Sequence, residues 1–300
     1  QGSLAAPALA NIARWYTKGR GMAVGIASSG QALAGIIWPP IFSVVMLAVG
    51  WRDMFYWYGV FALCVMLPVC IIVRHKPPAT ATGHTSEPTD SKDQGTGKQE
   101  VRRPLTSLQM QWALSAAIIG CCVAMALPLG HLVSHVTDLG HSPESAATVL
   151  SVMLMAAFVS RAVVLGFLSE RLGALRTLFV FSVVQAGMLG MFTAVDSLWA
   201  LYAVAVLCGL GYGGLFPVYA VATREHLPVA EVGRRTGTIF LFGAIAMGFG
   251  SWMGGYLFDL TGSYTLPFLL GVAINVTNLV IVVALILRVR PPMPLRHAHP

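Results

Sequence analysis

The chain has 300 residues, of which 56% are hydrophobic and only 10% charged, with a formal net charge of +7. Soluble domains carry about 25% charged residues, so a water-soluble globule is excluded: too few polar side chains exist to cover it. The five cysteines all lie in apolar stretches, with no CxxC pair and no nearby histidine set, which excludes a disulfide framework and a cysteine metal site and predicts small buried thiols.

Crossing about 30 Å of hydrocarbon takes roughly 20 mostly apolar residues as a helix. Taken in chain order, residues 1–14 read as the end of one such helix, and full spans follow at roughly 22–47 and 54–73. A polar stretch, 74–108, holds Pro77, Pro78, a Thr/Ser/Gly/His run and mixed charges; nothing in it can bury a core, so it reads as a flexible linker. Six further spans come at roughly 109–134, 146–168, 177–195, 197–220, 236–258 and 264–287. Lipid offers the backbone no hydrogen-bond partner, so each span must be helical. The fold class is an all-α integral membrane bundle of about eight full transmembrane helices plus the end of a ninth. Pro39-Pro40 is expected to break or bend its helix.

Of the 19 Lys and Arg, all but Arg52 and Arg161 fall on alternate junctions between spans. By the positive-inside rule, that side is cytoplasmic and includes the linker and the C-terminal tail. The basic balance therefore reflects topology and not nucleic-acid binding.

The two parts of the chain echo each other. Gly30, Gly35 and Gly50-Trp51-Arg52-Asp53 before the linker correspond to Gly243, Gly248 and Gly262-Ser263-Tyr264-Thr265 after it, with Gly spacings of 5 and 15 against 5 and 14. The repeat aligns the span at 22–47 with the fifth of the six after the linker. A complete first half then has six helices too, with the first three to four absent before Gln1. The division is 1–73, the remainder of the first half; 74–108, a cytoplasmic linker; 109–288, the second half; and 289–300, a tail. Two parallel six-helix halves with a solute site at the midplane are a transporter architecture. Gly30, Gly35, Gly243, Gly248, Gly254 and Gly255 are expected to let helices approach closely.

At one helix-to-helix turn stands Gly166-Phe167-Leu168-Ser169-Glu170-Arg171-Leu172-Gly173-Ala174-Leu175-Arg176. Glu170 is expected against the positive N-terminus of a neighbouring helix, within reach of Arg171 and Arg176. This segment strongly resembles the loop signature of the major facilitator superfamily, usually written with Asp where Glu170 stands. Arg14-Trp15-Tyr16-Thr17-Lys18-Gly19-Arg20-Gly21, followed by Gly30 and Pro39, resembles the entry to that superfamily's fifth helix. Gly209-Leu210-Gly211-Tyr212-Gly213-Gly214, Arg224-Glu225 and Gly254 to Tyr264 resemble a bacterial branch near the monocarboxylate carriers and oxalate/formate exchangers. The resemblance implies a twelve-helix fold, a gating role for Glu170, Arg171 and Arg176, and a small solute as substrate.

Arg161 lies about eight residues inside its span, some 12 Å deep at 1.5 Å per residue. A charge there costs about 3 kcal/mol or more and usually marks a pathway. No Asp or Glu lies within any span core, and a carboxylate substrate would complement the guanidinium. The resemblance implies the same role, since such carriers use an Arg in helix eight. Three departures leave substrate and proton coupling open: Ala157 stands where animal monocarboxylate carriers have Asp, no Lys lies between Thr236 and Phe258, and the spacing from Arg161 to Gly166 is one residue longer than the family pattern.

His131 and His135, with Asp138 beyond, sit near the outer end of the first helix after the linker, where a titratable pair can gate or relay protons. Among polar residues within spans, Tyr212, Tyr219 and Gln31 are the pocket candidates. No cofactor or metal is implied. The reading is a secondary transporter of a small organic anion, with H+ or a counter-anion as possible co-substrate, monomeric, in the cytoplasmic membrane. The alternatives are a non-transporting sensor or partner protein on the same fold, or an inactive remnant. A membrane-embedded enzyme would need an acid or nucleophile cluster within the spans, and none is present.

Overall fold

The structure, a computed structural model, describes residues 20–73, 105–228 and 231–289 together with residue 12. The expected ninth helix over 1–14, most of the linker and the C-terminal tail lie outside the described residues, Ile12 excepted. No strand occurs among the described residues.

Arg20–Val73 is helical throughout except at Gly50, where φ 81 and ψ 163 turn the chain. A side chain would make that conformation costly, and glycine has none. Gly50 thus separates α1 (20–49) from α2 (51–73). The helix continues through positions 39 and 40, so the break expected at Pro39-Pro40 is absent and the interruption falls at Gly50 instead. The following helices are α3 (Ser107–Asp138), α4 (Pro143–Leu172), α5 (Ala174–Met191), α6 (Leu198–Gly213), α7 (Leu215–His226), α8 (Val232–Thr261) and α9 (Thr265–Arg288). Together α6 and α7 make one span, Leu198–His226. Seven stretches among the described residues are long and apolar enough to cross a membrane: Ala48–Cys70 and the six after residue 105.

The helices begin beyond their apolar runs because polar residues cap them. Thr106 accepts from Gln109 N at 3.3 Å while Gln109 Oε1 accepts from Thr106 N at 3.1 Å, a reciprocal pair that starts α3. Ser142 accepts from Ser145 N ahead of α4, with Pro143 in its first turn.

α3 packs along α8 and α9, α4 along α6, and α5 against α6 and α9; the Arg20–Val73 segment lies on α4 and α7. The closest approach is backbone to backbone. Gly209 and Gly213, four residues apart on one face of α6, sit against the carbonyls of Met153 and Ala157 on α4, leaving no room for a Cβ. Of the glycines expected to do this work, Gly243 meets Ile118 and Gly254 meets His131, but Gly30 and Gly248 have nothing within 4 Å among the described residues. Cys121, Cys122 and Cys208 are buried as expected. Cys64 and Cys70 are exposed, because α2 presents nearly all its surface, Trp51, Phe55 and Trp57 included, to the surroundings.

Candidate functional site

Arg161 lies in a wide π-helical turn, Ser160–Val164, inside α4, where Leu165 N–H donates to the Ser160 carbonyl five residues back. A π-turn holds one residue more than an α-turn. The helix runs on through it, continuous from Pro143 to Leu172. The side chain is 3% exposed. Its Nε donates to the Gly213 carbonyl at 2.7 Å, Nη1 to the Ser28 carbonyl at 3.4 Å and Nη2 to the Tyr212 hydroxyl at 3.4 Å. The guanidinium carbon also lies 5.5 Å from the centre of the Tyr212 ring.

The site is built from three helices. α6 ends in the glycine-rich run, which brings Tyr212 and the Gly213 carbonyl against the π-turn; Ser160 Oγ ties the same turn to the Leu210 carbonyl at 2.6 Å. α1 supplies Ser28. It comes this close because Gly25 has no side chain facing the Arg161 carbonyl and Gly166 has none facing Met22. A delocalised cation is thus enclosed among main-chain carbonyls, a phenol and its own helix.

The structure brings Arg161 and Tyr212 together. It places Tyr219 elsewhere: fully buried, it donates to Asn278 Oδ1 at 3.4 Å within a closed network. In that network, Asn278 Nδ2 donates to Ser182 Oγ (2.9 Å) and Asn275 Oδ1 (3.0 Å), Asn275 Nδ2 donates to Gln185 Oε1 (3.1 Å), and Gln185 Nε2 donates to the Cys121 carbonyl (3.2 Å). Position 31 is helical, but the Gln31 side chain lies outside the described residues.

At the turn between α4 and α5, Gly173 takes φ 78 and closes the reversal. Glu170 is exposed and, among the described residues, forms no ion pair with Arg171 or Arg176. Arg171 lies instead over the Phe167 ring, 4.1 Å from its centre. The carboxylate at the N-terminus of α5 is that of Glu225, at the end of α7: its Oε2 accepts from Ala174 N at 3.0 Å, with His226 Nε2 at 3.8 Å. The expectation that Glu170 fills that position is therefore corrected. Glu170 is exposed, while the end of α7 is folded against the first turn of α5.

At the opposite end of the bundle, His131 donates from Nε2 to the Ser251 carbonyl and His135 from Nε2 to the Phe192 carbonyl, both at 2.9 Å. Carbonyls only accept, so Nε2 carries the proton in both rings. Tyr264 lies against the two imidazoles, with ring centres 5.4 and 5.9 Å away. A cavity of about 180 Å³ opens beside them, lined by His135, Asp138, Asp196 and Tyr264 among others. Asp196 belongs to this group although it stands at a sequence junction that carried no other signal.

Ser28, Ser160, Gly213 and Glu225 were not legible as site residues. Three act through or upon main-chain carbonyls, which no side-chain pattern announces; for Glu225, the dipeptide Arg224-Glu225 was the only hint.

The sequence model of the Major Facilitator Superfamily matches residues 1–186 and again 112–299. The chain is 25% identical over 222 residues to "MFS-type transporter pynF" of Aspergillus niger, which covers 74% of this chain and 48% of that protein. To "Monocarboxylate transporter 13" of Bos taurus it is 26% identical over 269 residues (87% and 59%), and to "Monocarboxylate transporter 11" of Homo sapiens 27% identical over 278 residues (88% and 56%). The chain thus spans about half to three-fifths of the length of these relatives. With both family matches, the helical bundle and its membrane-length spans in agreement, this chain belongs to the Major Facilitator Superfamily.

Proposed function

We propose that the protein is a secondary transporter that moves a small organic anion, such as a monocarboxylate, across the cytoplasmic membrane by alternating access. In this reading 1–73 belongs to the first half, 109–288 forms the second, and the linker 74–108 and the tail 289–300 are cytoplasmic.

The observation that carries the proposal is Arg161. A guanidinium buried at membrane depth, held at once by α1, α4 and α6, lies where the two halves meet, and its positive charge selects for an anion. Tyr212 adds a hydroxyl and a ring face to the same wall. The relatives named as monocarboxylate transporters support the substrate class. The outer group of His131, His135 and Asp138 then serves as a gate or proton relay, with H+ or a counter-anion as the coupled species. On the cytoplasmic side, Arg171 and Arg176 flank the turn at Gly173 in this reading, and Glu225 takes the bracing place first given to Glu170.

Uptake of labelled monocarboxylates into vesicles containing the protein tests this reading, with Arg161→Ala beside the wild type. Saturable uptake that the variant loses supports the assignment. Equal uptake by both removes Arg161 from the mechanism, and no uptake of any monocarboxylate by the wild type removes the substrate class.

A further inference from the structure

Away from Arg161, on the side where Lys and Arg concentrate, a cavity of about 210 Å³ opens between the first turns of α3 and α8, lined by Leu108, Gln111, Trp112, Arg234, Arg235 and Thr238. One of its two guanidiniums is structural. Arg235, its side chain 12% exposed, donates from Nε to Glu231 at 2.6 Å and from Nη1 to Gln111 Oε1 and to the Ser107 carbonyl, stapling α8 to α3. The other is available. Arg234 has a side chain 76% exposed, with its Nη2 3.5 Å from the same Glu231.

Among the described residues, one carboxylate thus serves two guanidiniums, which leaves one positive charge in excess of it. Both arginines stand in the first turn of a 30-residue helix whose one acidic residue at that end, among the described residues, is the N-cap Glu231 that they share, and a helix N-terminus already carries about half a positive charge. A second anion at this terminus would balance the pair. The cavity rim is apolar and open: Leu108 is 60% and Trp112 55% exposed, and the Trp112 ring packs edge-on against Phe242 of α8, with centres 5.9 Å apart. An indole at a helix end beside exposed leucine is the signature of the membrane–water interface.

From this juxtaposition we infer a binding site for the phosphate headgroup of an anionic phospholipid, with Arg234 on the phosphate and Leu108 and Trp112 along the glycerol and upper acyl chain. A basic pocket between transmembrane helices at this level suits such a headgroup. A free anion would use the arginine but not the exposed indole and leucine, which favours the lipid. The inference does not depend on what the protein transports.

The test uses the protein in nanodiscs of phosphatidylcholine containing a minor fraction of brominated phosphatidylglycerol or, in parallel, brominated phosphatidylcholine. The Trp112 contribution to fluorescence is isolated as the difference between the wild type and Trp112→Phe. Brominated phosphatidylglycerol quenches this component more than brominated phosphatidylcholine at equal fraction, and Arg234→Gln lowers that preference roughly five-fold. Arg234 is exposed, so the variant keeps the wild-type thermal midpoint. Millimolar inorganic phosphate leaves the preference in place. Equal quenching by the two lipids, a preference unchanged in Arg234→Gln, or its loss to inorganic phosphate would each overturn the lipid site.

Discussion

Arg161 donates from Nη1 to the main-chain carbonyl of Ser28, 133 positions earlier in the chain, and the contact links α1 to the π-turn of α4. The same guanidinium reaches Gly213 through Nε. Three helices therefore share one planar cation, and their relative positions depend on its fork of donors.

A lysine cannot reproduce that fork. Arg161→Lys keeps the charge but gives up at least one of the charge-assisted hydrogen bonds to Ser28, Tyr212 or Gly213, worth about 1.5 kcal/mol, so the thermal midpoint in detergent should fall by the equivalent of that amount. Concentration-dependent uptake measured alongside separates the two roles: half-maximal uptake at a higher anion concentration assigns Arg161 to the solute, and an unchanged half-saturation leaves it a brace between helices.

Gly209 has no space for even a methyl group against Met153 of α4, while Gly187 on α5 has nothing within 4 Å among the described residues. Gly209→Ala should push α6 from α4 and lower the midpoint by several degrees, with the effect of about 1–3 kcal/mol that overpacking produces. Gly187→Ala should leave the midpoint unchanged or slightly raised. A thermal-shift series on the two variants separates packing from the general loss of glycine.

Glu225 caps α5 and Glu170 does not. Glu225→Ala should cost about 1 kcal/mol, the usual loss on removing a cap and its charge from a helix N-terminus. Glu170→Ala, at an exposed position, should stay within about 0.5 kcal/mol of the wild type. Chemical denaturation of both variants in micelles decides between them; an equal loss would mean that Glu170 reaches the α5 terminus after all.

Tyr219 gives a cleaner separation of ligand from scaffold. Tyr219→Phe removes only the hydroxyl that donates to Asn278, so the midpoint should fall by the equivalent of about 1 kcal/mol while the apparent affinity for the anion holds. A weaker affinity at unchanged midpoint would return Tyr219 to the solute pocket, where the sequence pattern first put it.

The spans were legible because lipid leaves the backbone no choice, and a run of about 20 apolar residues then has one reading. Arg161 was legible for the same reason in reverse: a charge within such a run stands out. Its partners were not, because the Ser28 and Gly213 carbonyls carry no side-chain signature and are brought near only by helix packing at Gly25 and Gly213. Glu170 was read at a helix N-terminus from the turn motif that contains it, whereas the carboxylate found at α5 depends on which helix end the fold carries there. Pro39-Pro40 drew attention away from Gly50 because a proline announces a break more loudly than a glycine, although only the glycine tolerates the backbone angles found there.

The π-turn also governs how this chain can be compared with its kin. Each residue advances an α-helix by about 100°, so a surplus residue carried in ordinary turns would rotate the rest of α4 onto a different face. The wide turn at Ser160–Val164 holds one residue more than an ordinary turn, and beyond it Leu165 and Gly166 lie against Gly25 and Met22 of α1. An ungapped comparison with a relative that lacks the surplus residue therefore pairs correctly on one flank of the turn and one place out of step on the other, and roles transferred across it would land on the neighbouring side chain.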